Sequence, residues 1–430
     1  MKANESASSP IPSNPLKNRG IICRKKLPPL LGVILAGLAL TQIVRAQPAA
    51  AQPTFKLGDV PVSVKGSFET EFNDNINYSN HNRSSDIILR PGVILAINYK
   101  LTDINTVALQ MGLSYDEYLI HRNLSSYSNF AEVSPDSQLA LSIKPRDTIT
   151  LTVYDSFNYS VQPNDALAVN PNTGQVITNI RALGRFMNQI GVKGEWAATT
   201  DTTFNAGFYR YDVIPQDSTY DFLRRWQYTA QAGVRRLLDP FILSVDASYT
   251  KNYYQTDLQN DSASWYIGPT LTWTMEGLVV KATVGFNDYS FQHNGTNGDT
   301  SQPSTYTGEL SATNTLTNAI SHTLTLTRSS SFGYVSNTVQ IDRVSYKVDY
   351  KEFLLKAMTG TLLAYYEWGG DSGGNTPEHY GKYAISPSVE YLVRPGFTVY
   401  ASYEFAQKSS NFGDRNYTRN QFIVGLRYDF

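Results

Sequence analysis

After Cys23 the chain contains no cysteine. That excludes a disulfide framework and any thiolate metal site from everything downstream. Cys23 precedes the apolar run Leu27–Leu40, whereas a lipid-modified cysteine would follow such a run, so lipidation is not expected. The chain is also short of charge. Asp, Glu, Lys and Arg make up 17% of it, against about 25% in ordinary soluble domains. Long hydrophobic runs are missing as well. The Leu27–Leu40 stretch is 14 residues with Pro28 and Pro29 at its start, short of the ~20 a membrane-spanning helix requires. No later stretch reaches even that length. There is no His-Glu-x-x-His zinc motif and no EF-hand, so neither of those metal sites is expected.

What is present begins with an export signal. Arg24, Lys25 and Lys26 precede the apolar run, and Val44-Arg45-Ala46 has small-x-small spacing. Residues 1–46 are read as a secretory signal peptide. They hold 7 of the 36 basic residues and 1 of the 37 acidic ones, which leaves 29 − 36 = −7 for the mature chain. That balance argues against a nucleic-acid binder.

The mature chain is rich in aromatics, with 29 Tyr and 19 Phe, yet its mean hydropathy is −0.31. Strand-by-strand alternation resolves that contradiction, because outward apolar and inward polar residues cancel in the average. Val107, Leu109, Met111, Leu113 and Tyr115 alternate with Ala108, Gln110, Gly112, Ser114 and Asp116. The same period of two runs through 241–250 and 263–275. Short links at 101–105, 145–147, 199–201, 237–240, 276–277, 317–319 and 394–396 alternate with longer polar ones at 73–85, 120–135, 162–182, 213–222, 255–262, 291–303, 329–337, 369–379 and 407–416. An outer-membrane barrel has that asymmetry, with tight periplasmic turns and long external loops.

The fold expected is therefore all-β: a transmembrane, antiparallel, up-and-down β-barrel of about 18 strands over 61–430. A short periplasmic segment, 47–60, would precede it. Segments 304–316 and 320–329 are rich in Ser, Thr and Asn with few outward apolar residues, which makes 16 strands the second choice. Pro91, Pro269 and Pro387 fall within strand-like runs and suggest bulges or bends. The final strand alternates Phe422, Val424, Leu426, Tyr428 and Phe430 against Ile423, Gly425, Arg427 and Asp429. Its terminal aromatics, Tyr428 and Phe430, resemble the signal read by the bacterial barrel-assembly machinery. This strand must pair with the first, near 62–72, because an open edge in lipid leaves backbone groups unpaired.

No catalytic residue, metal site or cofactor is expected. His81, His121, His293 and His379 fall in loops, and loop histidines are usually solvated. Asp371 shares a loop with His379, and Asp74 with His81, but such pairs arise by chance in Asp-rich loops. The amide-rich Asn73-Asp74-Asn75 and Asn294–Asp299 stretches read as hydrated loops rather than calcium sites. By parity the lumen face carries Arg90, Lys193, Glu195, Arg225, Arg235, Asp246, Lys281, Lys347, Asp349, Lys382, Glu390 and Arg427 among many Ser, Thr and Gln. Both signs are present, which suits a water-filled pore of weak charge selectivity. A mixed polar surface can also hold sugar hydroxyls, with Tyr154 or Tyr209 stacking on the rings.

The opening Gly66-Ser67-Phe68-Glu69-Thr70-Glu71-Phe72-Asn73-Asp74-Asn75-Ile76, followed by Asp86 and Pro91-Gly92, resembles the β-barrel porin 2 family. The ending, Asn416 to Phe430, is similar too. The family pattern is an aromatic-Asp-Asn turn; here Asn73 intervenes between Phe72 and Asp74. The resemblance implies an outer-membrane barrel, often linked to exopolysaccharide export, and supplies no catalytic residues. The function expected is a porin-like channel for polysaccharide export or passive solute diffusion. The alternative is a non-conducting structural or adhesive barrel whose loops bind a surface polymer, with a barrel enzyme less favoured. Expected partners are outer-membrane lipid, the assembly machinery and polysaccharide or small solutes.

Overall fold

The computed structural model describes residues 55–128, 137–160, 185–216, 218–257, 259–292, 295, 304–332, 336–372 and 377–430. Residues 1–46, read from the sequence as a signal peptide, His293 and most of the 294–299 stretch lie outside them. All strands belong to one antiparallel sheet. In chain order they are β1 (Phe55–Leu57), β2 (Val60–Asn73), β3 (Asp86–Lys100), β4 (Thr106–Tyr118), β5 (Ser126–Ser128), β6 (Ser137–Arg146), β7 (Ile149–Ser160), β8 (Arg185–Ala197), β9 (Thr202–Pro215) and β10 (Arg225–Leu238). There follow β11 (Phe241–Tyr254), β12 (Ser262–Met275), β13 (Leu278–Phe291), β14 (Ser304–Thr315), β15 (Ile320–Phe332), β16 (Thr338–Lys351), β17 (Met358–Ser372), β18 (His379–Arg394), β19 (Phe397–Ser410) and β20 (Tyr417–Asp429). β1 and β5 are three-residue pieces. β1 covers Val60–Val62 of β2, and β5 pairs with Ser114–Asp116 of β4. The other 18 strands form the wall. The polar segments that suggested 16 strands are both strands, β14 and β15.

β20 pairs with β2 from Lys65↔Asp429 to Asn73↔Gln421, so the sheet closes into a barrel with no free edge. Phe430 extends the seam by one bond, its N–H donating to the Val64 carbonyl at 3.0 Å. Phe430 is half exposed and packs edge-on against Tyr428.

Side-chain period fixes the two faces. Exposed large apolar residues recur at every second position, among them Val192, Phe204, Phe208, Leu243, Trp265, Ile267, Leu271, Val284, Val424 and Leu426. Aromatic pairs mark two levels on this face. Trp196–Phe204 and Phe241–Trp273 lie beside the short turns, while Tyr249–Trp265 and Phe286–Tyr306 lie toward the long loops. From Phe241 to Tyr249 is roughly 26 Å of strand, or about 20 Å of height at a tilt of ~40°, close to the ~25 Å apolar band of an outer-membrane barrel. An exterior this apolar requires lipid around it, and the chain is an integral outer-membrane protein that crosses by strands. Among the described residues no helix is long and apolar enough to do so.

Short turns follow β3, β6, β8, β10, β12, β14, β16 and β18, which makes eight where the sequence spacing showed seven. The additional turn, Glu352–Ala357, has neither Gly nor Pro. Glu352, Leu354 and Ala357 adopt positive φ of 55°, 62° and 63°, the conformation for which glycine is the usual signal.

The three prolines do not produce bulges, contrary to the sequence expectation. At each, pairing to the preceding strand is continuous, and two pairs are missing toward the following strand with the register unchanged. Proline lacks one N–H, and that N–H would have served only one neighbour. The actual register shifts fall elsewhere, between Ile143 and Arg146 and between Leu392 and Arg394.

Candidate functional site

Alternation turns the second face of every strand inward, and the twelve charges assigned to it from the sequence separate by their contacts into two groups. Around the seam they are joined. Arg90 on β3 donates to Asp116 at 2.6 Å, to Glu69 at 2.8 Å and to Glu71 at 3.3 Å. All three carboxylates are buried, and Tyr400 donates to Glu69 from β19 at 2.5 Å. Arg427 reaches Glu390 at 3.4 Å and lies over the Tyr400 ring. Lys347 and Asp349 pair at 2.9 Å, and Asp349 accepts from Thr361. Lys382 sits over the Tyr365 ring with the Arg343 guanidinium.

Parity missed several members of this group. Glu69, Glu71 and Asp116 occupy inward positions of strands whose alternation was visible. Arg343 pairs with Glu367, and Arg419 with Glu404. Asp116 already stood on the polar side of 105–118, and applying the same alternation to 60–73, 338–351, 358–372, 397–410 and 417–429 would have found the others.

The Asn73-Asp74-Asn75 stretch fastens the long-loop end of the seam. The Asn420 backbone N–H and side-chain amide both donate to Asp74 at 2.6 Å. The Asn75 amide donates to the Thr418 carbonyl at 2.8 Å and to the Ser79 carbonyl at 2.8 Å. Asp74 is therefore committed to the seam. Of the remaining histidines, His121 contacts Asp86 at 2.8 Å. His322 on β15 lies between Asn314 and Tyr346. Among the described residues no three His, Cys, Asp or Glu side chains are arranged to hold a metal ion. Residues 370–374 have Gly-x-Ser-x-Gly spacing. Gly370, Asp371 and Ser372 are the last residues of β17, and Gly373 and Gly374 lie outside the described residues.

From β9 to β15 the inner face is different. Hydroxyls pair across strands: Thr229 with Thr250 at 2.9 Å, Thr270 with Thr283 at 2.9 Å, Ser311 with Thr325 at 3.3 Å and Thr313 with Thr323 at 3.1 Å. Toward the long loops this wall encloses a cavity of about 690 Å³, lined by Tyr209, Tyr266 and Tyr289 with many Ser and Thr. Arg225 borders it and donates to Tyr254 at 3.5 Å. Lys281 pairs with Glu309 at 3.1 Å, both half exposed. Tyr209 thus lines the cavity, while the Tyr154 hydroxyl accepts from Gln189. Nearer the short turns Lys193, Glu195 and Arg235 line a second cavity of about 220 Å³. Asp246 lies close by, against Gly233.

A closed 18-strand barrel with this exterior and a polar interior is an outer-membrane β-barrel of the porin type in fold. No family model matches the chain, and no curated protein does. Among solved structures it resembles a BenF-like porin from Pseudomonas fluorescens Pf-5, with a TM-score of 0.50 and 11% identity over 86% of this chain and 99% of that one. It is also similar to Pseudomonas aeruginosa OccK2 (OpdF) in complex with glucuronate, at a TM-score of 0.49, 10% identity and coverages of 86% and 98%. Pseudomonas aeruginosa OpdK with vanillate matches at 0.48, 10%, 86% and 99%.

Proposed function

We propose that this chain is a porin-like outer-membrane channel for small hydrophilic solutes. The observation that carries the reading is the 690 Å³ cavity on the inner wall, faced mostly by hydroxyls and three tyrosines, with Arg225, Glu309 and Arg328 among them. Such a surface exchanges hydrogen bonds with water and with polyhydroxylated solutes at little cost, since the net worth of each bond is only about 1 kcal/mol. Solutes therefore bind weakly enough to leave, as conduction requires. Seam charges that satisfy one another add little net field, so discrimination by sign should be modest. The reading makes the protein a conduit that leaves its solute chemically unchanged.

Passage of a carbohydrate chain is the second reading, favoured by the placement of Tyr209, Tyr266 and Tyr289 among hydroxyls, where sugar rings could stack. The test is reconstitution in planar bilayers and in liposomes loaded with sugars of increasing length. Stepwise conductance with swelling by mono- and disaccharides is expected. Absence of conductance at every voltage would overturn the channel.

A further inference from the structure

Lys193, Glu195, Arg235 and Asp246 face the lumen, and none of the four has an ion pair among the described residues. This is not forced by their spacing. Lys347 and Asp349 are also two residues apart on one strand face, and they pair at 2.9 Å. Lys193 and Glu195 on β8 have the same spacing and do not.

The register explains how these charges are distributed. Glu195 stands across from Asn205, Asn205 across from Gly233, and Gly233 across from Asp246. One level of the wall therefore has carboxylates at both ends, three strand spacings or about 14 Å apart at Cα. Gly233 leaves the middle of that level open. A Cβ there would lie 2.2 Å from Asp246 Oδ1 and 2.8 Å from Asn205 Nδ2. The Asp246 carboxylate thus leans across Gly233 toward Asn205, which shortens the gap to Glu195. Lys193 stands one level toward the loops, in line with Gly207 and Gln231, and Arg235 one level toward the turns, across from Thr203. Except for Asp246, which stands at its edge, these charges line the 220 Å³ cavity together with Thr203, Asn205 and Gln231.

The charges sum to zero. A simple anion gains from Lys193 and Arg235 and loses to Glu195 and Asp246, and a cation does the reverse. A solute with both signs a few ångströms apart gains from each. We propose that this pocket is a lumen binding subsite for small zwitterions of the amino-acid type. The solute carboxylate meets Lys193 and Arg235, and its ammonium meets Glu195 and the Asp246 carboxylate. The Asn205 and Gln231 amides complete the hydrogen bonding. The proposal deepens the channel reading and rests on it only for delivery of the solute to the pocket.

The test is ligand-observed NMR on the purified barrel in detergent, with L-alanine, acetate and uncharged N-acetyl-L-alanine amide as probes. L-alanine should give the strongest signal on the wild-type protein. The neutral double variants Lys193→Gln/Glu195→Gln and Arg235→Gln/Asp246→Asn should each weaken it at least about tenfold, as loss of one charge-assisted hydrogen bond implies. Equal signals from L-alanine and the uncharged amide on the wild type would overturn the subsite without any variant. So would undiminished binding in folded variants. Bilayer conductance is measured on the same preparation. Conductance without L-alanine preference sinks the subsite alone, and L-alanine binding without conductance sinks the channel alone.

Discussion

The strands around the seam and the strands from β8 to β15 place charge on the same inner face with opposite results. Around the seam, Arg90 is surrounded by Glu69, Glu71 and Asp116, and Arg427, Arg343 and Arg419 each hold a carboxylate. From β8 to β15 most inward residues are hydroxyls or amides, Lys281–Glu309 is a half-exposed pair, and four charges have no ion pair. The difference shows that a lumen charge is not by itself a solute contact. Where neighbouring strands supply the opposite sign, the charge braces the wall. Where they supply Thr, Gln or Gly, it is left for whatever enters.

The largest effect is expected at Arg90. Replacing it with Met leaves three buried carboxylates facing one another. A loss of about 3–5 kcal/mol is expected, as for one partner removed from a buried ion pair, read from urea unfolding in detergent. A loss below ~1 kcal/mol would mean that the seam carboxylates are as well solvated as charges on the other wall.

Next in size is Gly425, which stands across from Tyr400 on the seam. A Cβ there would meet the Tyr400 ring at 2.3 Å, so Gly425→Ala must displace the ring and its bond to Glu69. Overpacking of this kind costs about 1–3 kcal/mol. The added substitution Tyr400→Ser should recover part of the loss in the same unfolding measurement. No recovery would assign the cost to the strand backbone instead.

The smallest effect is expected on the other wall. Lys281→Gln breaks a half-exposed pair, worth at most about 1 kcal/mol in stability. It frees Glu309, so the reversal potential in a salt gradient should move toward cation preference. A large stability loss with no shift in reversal potential would place Lys281 among the braces.

Much of the fold was legible in the sequence. Period-two alternation, link lengths and the last strand gave an antiparallel barrel of about 18 strands that closes on the segment near 62–72. What escaped was local and had physical reasons. The Glu352–Ala357 turn uses left-handed backbone at Glu, Leu and Ala, so no turn residue announced it. The prolines suggested bulges because sequence cannot tell which neighbour loses a hydrogen bond. In the structure, side chains span two of the resulting gaps: Arg90 reaches Asp116 beside Pro91, and Ser386 reaches Glu404 beside Pro387. The Asn73-Asp74-Asn75 stretch looked like a hydrated loop because its partners, Thr418 and Asn420, are more than 340 residues away in the chain.

For the lumen, alternation along the chain assigns each charge to one side of the wall, because it depends only on neighbours in the chain. It could not determine which charges are neutralised. That depends on register, set by the turns and by closure of β2 on β20, and a side chain's partner is decided across strands. Only the tertiary structure placed Arg90 among three carboxylates and left Lys193 facing Gly207 and Gln231.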